Sequence, residues 1–145
     1  MAKLMVDNLQ LAIEFFEDAI LLGIQCPAEP HRFVWMINRA FGYHFQYQQD
    51  GEIKLRSQKR NYEYPVYHCR EHNIELLHLL YVNDDDGKHL LPELKHIDFL
   101  WLLKGEIPGD GFINALCAEL RKIDPVQLVV ELTNEKIRNK EHLVL

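Results

Sequence analysis

The stretch LLPELKHIDFLWLLKG, Leu90–Gly105, decides the fold of this chain because it holds one of its most apolar runs. As a helix, Phe99–Leu103 would be apolar on every face, which only a fully enclosed helix tolerates. As a strand, the odd-numbered residues from Ile97 onward would face one way and the even-numbered residues the other. We therefore expect one turn over Pro92–Lys95, followed by a central strand that is covered on both sides.

The best helical pattern in the chain begins at Pro30. Its apolar residues recur at helical spacing as far as Phe41, and Gly42 stands where a helix commonly ends in the left-handed conformation. A second apolar stripe of helical period predicts a helix across Asp110–Lys122, which Pro125 ends. Two amphipathic helices are therefore expected.

Most of the remaining chain alternates between apolar and polar residues, the pattern of half-buried strands. Asp50-Gly51 is a strong hairpin signal between two of these segments. Consecutive strands without regular strand–helix–strand alternation indicate an α+β fold, with both helices packed on a mainly antiparallel or mixed sheet of about six to eight strands. We expect one domain over residues 1–145. The expected strands are a hairpin or bent pair of Leu9–Phe15 and Ala19–Ile24, then Tyr43–Tyr47, Ile53–Leu55, Asn61–Cys69, Ile74–Val82 and Val126–Leu132.

Composition and charge exclude some classes of function. Of the 145 residues 48% are apolar and 26% charged, which is typical of a globular protein. The formal net charge of −6 disfavours nonspecific binding to nucleic acid or anionic membranes. Three widely spaced cysteines suit reduced thiols better than a disulfide framework. Because no signal peptide is visible and no apolar run approaches the roughly 20 residues that span a bilayer, we expect a cytoplasmic protein.

The segment Leu91–Phe99, LPELKHIDF, resembles the signature I-P-E-x-x-x-V-D-Y of the bacterial IPExxxVDY family of small proteins. Pro92, Glu93 and Asp98 match at the right spacing, whereas Phe99 lacks the hydroxyl of the tyrosine in the signature. The resemblance implies a compact cytoplasmic bacterial protein in which these four residues form a structural signature. Because the family has no established biochemical activity, the resemblance implies no catalytic residues. We call Leu91–Phe99 the signature segment.

Asp98 is an ionisable residue beside a run that we expect to be buried, where a carboxylate without partners is costly. We favour a structural role, in which the carboxylate accepts backbone N–H bonds from the Pro92–Lys95 turn, with Pro92 and Glu93 setting that turn. The alternative is functional, because a carboxylate at the entry of a buried strand can have a raised pKa and act as an acid or base.

His89, Glu93 and His96 form an H-x3-E-x2-H pattern. Together with Asp98 they are candidates for a small-molecule or metal-binding site, or for a metal-dependent enzyme site. Either site requires the four side chains to meet. Eight histidines in the chain make chance neighbours common. We therefore favour solvated histidines in a turn, and we expect no bound metal or cofactor.

One constellation combines basic and aromatic residues, around Arg56–Tyr67. Such a face can stack single-stranded RNA bases while it neutralises phosphates. An exposed hairpin whose basic side chains discourage aggregation explains the same residues, and the acidic net charge favours that interpretation. The members are Lys54, Arg56, Lys59, Arg60, Tyr62, Tyr64 and Tyr67.

No catalytic constellation is recognisable, since the usual nucleotide-binding and hydrolase motifs are absent. We therefore expect a non-enzymatic binding or adaptor domain whose partner is another protein or a second copy of the chain. The expected contact surface is formed by exposed aromatic strands around Tyr62–Tyr67 and by the C-terminal residues His142–Leu145. The small-molecule or metal site and the RNA-binding face are the two alternatives.

Overall fold

The structure is a computed structural model that describes residues 14–133 and 137–144. The described part contains ten strands, two complete α-helices and one 3₁₀ turn, and residues 14–16 are also helical. In chain order these are β1 (Ala19–Gln25), α1 (Pro30–Phe41), β2 (Gln46–Tyr47), β3 (Ile53–Ser57), β4 (Arg60–Tyr64), β5 (Val66–Arg70), β6 (Leu76–Val82), β7 (Asp84–Asp85), β8 (Lys88–His89), β9 (Phe99–Gly105), α2 (Phe112–Arg121), β10 (Leu128–Leu132) and the 3₁₀ turn (Lys140–Leu143).

Six strands form one sheet in the order β10-β1-β9-β6-β5-β2, and every neighbouring pair is antiparallel. Two hairpins, β3–β4 and β7–β8, are separate from this sheet. The expectation of an α+β fold with a mainly antiparallel sheet is confirmed. None of the described helices is long and apolar enough to cross a bilayer.

Strand β9 lies inside the sheet between β1 and β6. All five residues Phe99–Leu103 are at most 2% exposed, so the predicted central strand with two covered faces is confirmed. Its odd-numbered residues pack on one side of the sheet, and Leu100 and Leu102 pack on the other. Ile97 was predicted to share the face of Trp101, which is wrong, because it precedes the strand and contacts the core on the opposite side.

The helices cover one face of the sheet and create what we call the helix-side core. Helix α1 begins with Pro30 in its first turn and ends at Gly42 in the left-handed conformation, with φ of 70°, as predicted. Helix α2 lies within the predicted range and buries its apolar stripe. The core includes Leu22, Ile24, Phe33, Ile37, Phe45, Leu80, Phe99, Trp101, Leu103, Leu116 and Leu120.

The other face of the sheet is covered by the β3–β4 hairpin, the turn before β9 and the C-terminal residues. We call this the hairpin-side core. Because both faces are covered, β6 and β9 are apolar on both phases of their alternation. The core includes Leu21, Ile53, Tyr64, Val66, Leu79, Tyr81, Leu90, Leu91, Ile97, Leu100, Leu102, Leu132, Ile137 and Leu143.

The hairpin expected at Asp50-Gly51 is wrong. The chain does turn there, with a φ of 60° at Asp50, but β2 pairs with β5 and β3 pairs with β4. The turn between β3 and β4 is made by Gln58 and Lys59, both with positive φ. Neither residue type is typical of such turns, so the sequence does not predict this one. Ile53 leaves the plane of the main sheet to cover the hairpin-side core.

The strand pair expected near the N-terminus is also wrong in its first half. Residues 19–25 form β1 as predicted, but residues 14–16 are helical, and residues 9–13 lie outside the described residues. Strand β1 has β9 on one side and β10 on the other. Both of its edges are therefore occupied, so no place remains for a further strand beside it.

Candidate functional site

Asn83 holds the turn at the start of the signature segment. It is fully buried and directly follows β6. Its side-chain amide donates to the carbonyl oxygens of Leu94 at 3.0 Å and Ile97 at 2.8 Å, and its Oδ1 accepts the N–H of Leu91 at 2.9 Å. A polar side chain that replaces three backbone partners in this way fixes the path of the turn.

The role predicted for Asp98 is therefore wrong in its partner. The Oδ2 of Asp98 accepts the backbone N–H of Cys26 at 2.7 Å, a residue 72 positions earlier in the sequence, and not an N–H of its own turn. The backbone of Asp98 donates to Ile24 at 2.9 Å and accepts from Asn83 at 3.0 Å. Asp98 thus joins the end of β1, the end of β6 and the start of β9.

Glu93 binds the C-terminal part of the chain. Its Oε2 accepts the backbone N–H groups of Arg138 at 2.5 Å and Asn139 at 2.8 Å, and its Oε1 accepts the Asn139 side-chain amide at 2.9 Å. Burial alone would raise the pKa of Glu93, but these hydrogen bonds lower it below its usual value. Glu93 therefore acts as an anionic acceptor for a segment 45 residues away in sequence.

The C-terminal residues that were expected to form a contact surface are instead packed against the hairpin-side core. Leu143 is fully buried, and its carbonyl accepts the hydroxyl of Tyr81 at 2.7 Å. The Nδ1 of His142 lies 2.7 Å from the carbonyl oxygen of Leu90, so it donates a hydrogen bond to it. The expectation was wrong because sequence hydropathy does not reveal which sheet face a terminal apolar run covers. Leu145 lies outside the described residues.

The four candidate site residues are not gathered into one cluster. Glu93 faces residues 138–139, His96 is exposed, and His89 lies 3.9 Å from a carboxylate oxygen of Asp84. Within residues 14–133 and 137–144, no group of three His, Cys, Asp or Glu side chains is placed to hold a metal ion.

Asp98 does line a cleft of about 760 Å³ at the start of α1. Its hydrogen bond to Cys26 and its position on the cleft wall are compatible, because only Oδ2 is used by that bond. The charged lining residues are four carboxylates and one guanidinium, so the cleft favours cationic over anionic groups. They are Glu29, Asp84, Asp98, Asp124 and Arg32.

The cysteines provide no reactive thiol. All three are free, as predicted, and all three are buried. Burial, assisted by the charge of Asp98, raises the pKa of Cys26 to about 11, although a backbone hydrogen bond opposes the shift. Burial also raises the pKa values of Cys69 and Cys117. Thiols with raised pKa values are neutral near pH 7 and are poor nucleophiles.

The β3–β4 hairpin turns its tyrosines toward the protein. Tyr64 is fully buried and donates its hydroxyl to the carbonyl of Lys88 at 2.9 Å. Tyr62 packs beside it against the hairpin-side core. Lys54 and Arg56 are exposed at the alternate positions of β3, on the other face of the hairpin. Lys54 and Arg56 therefore do not share a surface with the inward rings, whereas the guanidinium carbon of Arg60 lies 5.0 Å from the centroid of the Tyr62 ring.

Two other members of this constellation are engaged elsewhere, and Lys59 is exposed in the turn between β3 and β4. Tyr67 belongs to β5 and packs against the helix-side core, while Arg60 forms an ion pair with Asp86. The expectation of exposed aromatic strands around Tyr62–Tyr67 is therefore wrong. These rings alternate with polar residues because the hairpin covers the main sheet, and the inward phase carries the aromatic residues.

Trp35 is the large apolar side chain that the structure leaves most open among the described residues, at 58% exposed. It lies on the outer face of α1, because two residues of helix separate it by about 200° from the buried Phe33. The guanidinium carbon of Arg39 lies 5.2 Å from the centroid of its ring. A groove of about 440 Å³ between α1 and α2 adjoins the pair and includes Ile123.

The sequence analysis did not single out Trp35 as a surface residue. The signal was present, since the stripe formed by Phe33, Ile37 and Phe41 leaves position 35 on the opposite side of the helix. For Asn83 no such signal exists, because its partners lie 8 to 14 residues further along the chain.

Comparison with known proteins gives no match: no family model, no curated protein and no solved structure is similar to the chain. The resemblance of the signature segment to the IPExxxVDY family stays a prediction. Function must therefore be inferred from the geometry of the described residues.

Proposed function

We propose that this chain is a non-enzymatic protein-interaction domain whose contact surface is the outer face of α1, centred on Trp35. The observation that carries the proposal is the 58% exposure of this indole beside the guanidinium of Arg39. Tryptophan and arginine are the side chains most enriched at the energetic centres of protein interfaces. Trp35 belongs to neither core, so packing of the fold does not explain why a tryptophan stands at this position.

The charge of α1 indicates the chemistry of the partner. Between Pro30 and Phe41 the helix contains Arg32 and Arg39 but neither aspartate nor glutamate, although the whole chain has a net charge of −6. On α2, Lys122 is paired with Glu119 at 2.8 Å, so that end of the groove adds little net charge. The partner proposed is therefore an acidic protein segment that places an apolar side chain against Trp35.

The small-molecule or metal alternative has weaker geometric support. Of the four residues proposed for it, Asp98 alone lines the large cleft, and the others point to different neighbours. Stoichiometric metal in protein purified without chelator, lost in the variant Asp98→Asn, is the result that would favour this alternative over the helical surface.

The RNA alternative has weaker support as well, because Tyr64 is buried and the basic side chains of β3 lie on the face opposite the rings. Retention of single-stranded RNA at about 150 mM salt is the result that would favour it. A relation to the IPExxxVDY family is also proposed, on the spacing of Pro92, Glu93 and Asp98.

Two synthetic peptides of equal length test the main proposal, one alternating leucine with glutamate and the other alternating leucine with lysine. We expect the acidic peptide, and not the basic one, to shift the indole and amide NMR signals of Trp35 and the neighbouring α1 residues. The variants Trp35→Ala and Arg39→Glu should weaken this binding at least tenfold.

Tyr47→Ala is the matched control, because Tyr47 is the next most exposed aromatic residue at 47% and belongs to β2, away from α1. Equal binding of both peptides, or unchanged binding by Trp35→Ala, contradicts the proposal. Shifts confined to β2 and β5 would move the contact surface away from α1 and contradict it too.

A further inference from the structure

His78 is a fully buried histidine in β6 with hydrogen bonds on both ring nitrogens. The indole N–H of Trp101 lies 2.9 Å from Nδ1, and Nε2 lies 3.2 Å from Oε1 of Glu71. An indole nitrogen can only donate, so Nδ1 must accept. The ring proton therefore stands on Nε2 and is donated to the carboxylate. The two partners together select one neutral tautomer of His78.

The surroundings of His78 are mostly aromatic. The ring centroids of Tyr43, Phe45 and Trp101 lie 4.8, 6.0 and 5.6 Å from that of His78. Glu71 is the charged group that acts on the imidazole, and its side chain is 22% exposed. The carboxylate of Glu71 thus connects the buried imidazole with the partly exposed edge of the cluster.

Two further titratable groups face the cluster from neighbouring elements. Tyr43 follows α1, and burial together with its hydrogen bond to Glu71 raises its pKa. Cys69 is the cross-strand partner of His78 on β5, and burial raises its pKa as well. Both groups are neutral near pH 7, so His78 is the group of the cluster that can gain a charge as the pH falls.

Protonation of the imidazole changes the hydrogen bonds in a definite way. A second proton must go to Nδ1, where it would face the indole N–H of Trp101, so two donors would oppose each other. Burial lowers the pKa of His78, and the attraction of Glu71 opposes that shift without overcoming it. Adding the proton therefore requires the imidazole and the indole to separate.

The imidazole and the indole belong to β6 and β9, so they separate by rotation of the rings, and the rings of Tyr43 and Phe45 that contact both must give way. The segment that can move most easily is therefore the one after α1. Strands β5, β6 and β9 are held to one another by backbone ladders of five and seven residue pairs. Residues 42–45 have no such ladder, and Phe45 is held by two hydrogen bonds to the side chain of Asn38. The strand that follows, β2, pairs through only two residues.

We propose that His78 is a proton-sensitive contact that controls whether residues 42–45 and the C-terminal end of α1 stay closed over the sheet. Uptake of one proton at Nδ1 breaks the hydrogen bond from Trp101 and opens this cover, while the six-stranded sheet stays intact. The device operates whether or not Trp35 binds a partner, so it does not depend on the proposed function.

The variant Trp35→Phe is suitable for the test because it leaves Trp101 as the sole tryptophan. Between pH 7.5 and pH 4.5, NMR would follow the indole N–H of Trp101, the imidazole nitrogens of His78 and the amide exchange of Phe45. We expect an unprotonated Nδ1 at neutral pH. As His78 takes up its proton, the protection factor of Phe45 should fall by up to about tenfold per pH unit, while amides of β6 and β9 stay protected.

His78→Gln removes the titration but keeps an oxygen acceptor and an N–H donor, and His72→Gln, at an exposed histidine, is the matched control. We expect the first variant to abolish the pH dependence of Phe45 protection and the second to leave it unchanged. If the Phe45 amide loses protection with falling pH in His78→Gln as much as it does without this substitution, the proposal is overturned. Simultaneous loss of protection in β6 and β9, or a protonated Nδ1 at neutral pH, overturns it even if His78→Gln does not fold.

Discussion

The carboxylate of Asp98 accepts the backbone N–H of Cys26 at 2.7 Å, which connects two residues 72 positions apart in sequence. Cys26 is the first residue after β1 and Asp98 is the last residue before β9. This contact therefore extends the pairing of two neighbouring strands beyond their backbone ladder, at the edge of the large cleft. Asp98, the residue of the signature segment that makes this contact, thus serves the fold as a hydrogen-bond acceptor for the end of a distant strand.

Asp98→Ala should lower the free energy of unfolding by roughly 1–3 kcal/mol, because the N–H of Cys26 loses its acceptor in a partly buried position. Urea unfolding followed by circular dichroism measures this difference. Asp98→Asn is the matched control, since its side-chain oxygen can still accept the hydrogen bond. A fully stable Asp98→Ala protein that has lost only the binding of a ligand would show that the role of Asp98 is functional.

Asn83→Ala should destabilise the fold more than Asp98→Ala, by about 2–4 kcal/mol, because one donor and two carbonyl oxygens of the turn lose their partner in the interior. The same unfolding experiment gives the comparison. Asn61→Ala, at an exposed position of β4, is the control and should change the stability by less than about 0.5 kcal/mol. If Asn83→Ala lowered the stability no more than Asn61→Ala does, the role assigned to Asn83 would be contradicted.

The pH dependence of the C-terminal segment should follow Glu93. Its pKa is lower in the folded protein than in an unfolded chain, so the stabilisation is present above the unfolded value and is lost as the pH falls through the folded value. Hydrogen exchange of the Arg138 and Asn139 amides should therefore show falling protection factors below about pH 4. In Glu93→Gln the protection should be low at every pH, and Glu141→Gln, at an exposed position, should behave as the parent protein.

Truncation of the two tryptophans should have very different effects on the stability of the fold. Trp101 is fully buried in the helix-side core, so Trp101→Ala should lower the free energy of unfolding by about 3–5 kcal/mol. Trp35 is exposed, so Trp35→Ala should change it by less than about 0.5 kcal/mol. Denaturant titrations of both variants decide the matter. A large destabilisation by Trp35→Ala would show that its ring is part of the fold and would remove the argument for a contact surface.

Strand β9 and helix α1 were predictable because their signals are local. Apolar residues on both phases of Phe99–Leu103 specify a strand with two covered faces, and Pro30 and Gly42 mark the two ends of the helix. The pairing of β2 with β5 was not predictable from Asp50-Gly51, because a turn signal specifies a local bend and not which strand lies opposite.

The candidate site was less predictable for the same reason. The turn in the signature segment was correctly located, but the partners of Glu93 and Asp98 lie 45 and 72 residues away. The residue type indicated that both carboxylates need hydrogen-bond donors. Which donors they meet depends on the order in which distant segments of the chain pack together. Their identity therefore becomes visible only in the folded chain.

Gly105 at the end of β9 should resist replacement by any larger residue. A Cβ atom there would lie 2.1 Å from the carbonyl oxygen of Glu75, and the residue has a φ of +117°. Gly109 also has a positive φ, of +76°, but a Cβ atom there would meet nothing within 4 Å. Gly109→Ala should therefore cost only the backbone strain, roughly 1–2 kcal/mol, whereas Gly105→Ala adds a backbone collision between β9 and the start of β6. Thermal unfolding of the two variants separates the contributions, and equal losses would mean that the close approach of Glu75 to Gly105 does not constrain this end of the sheet.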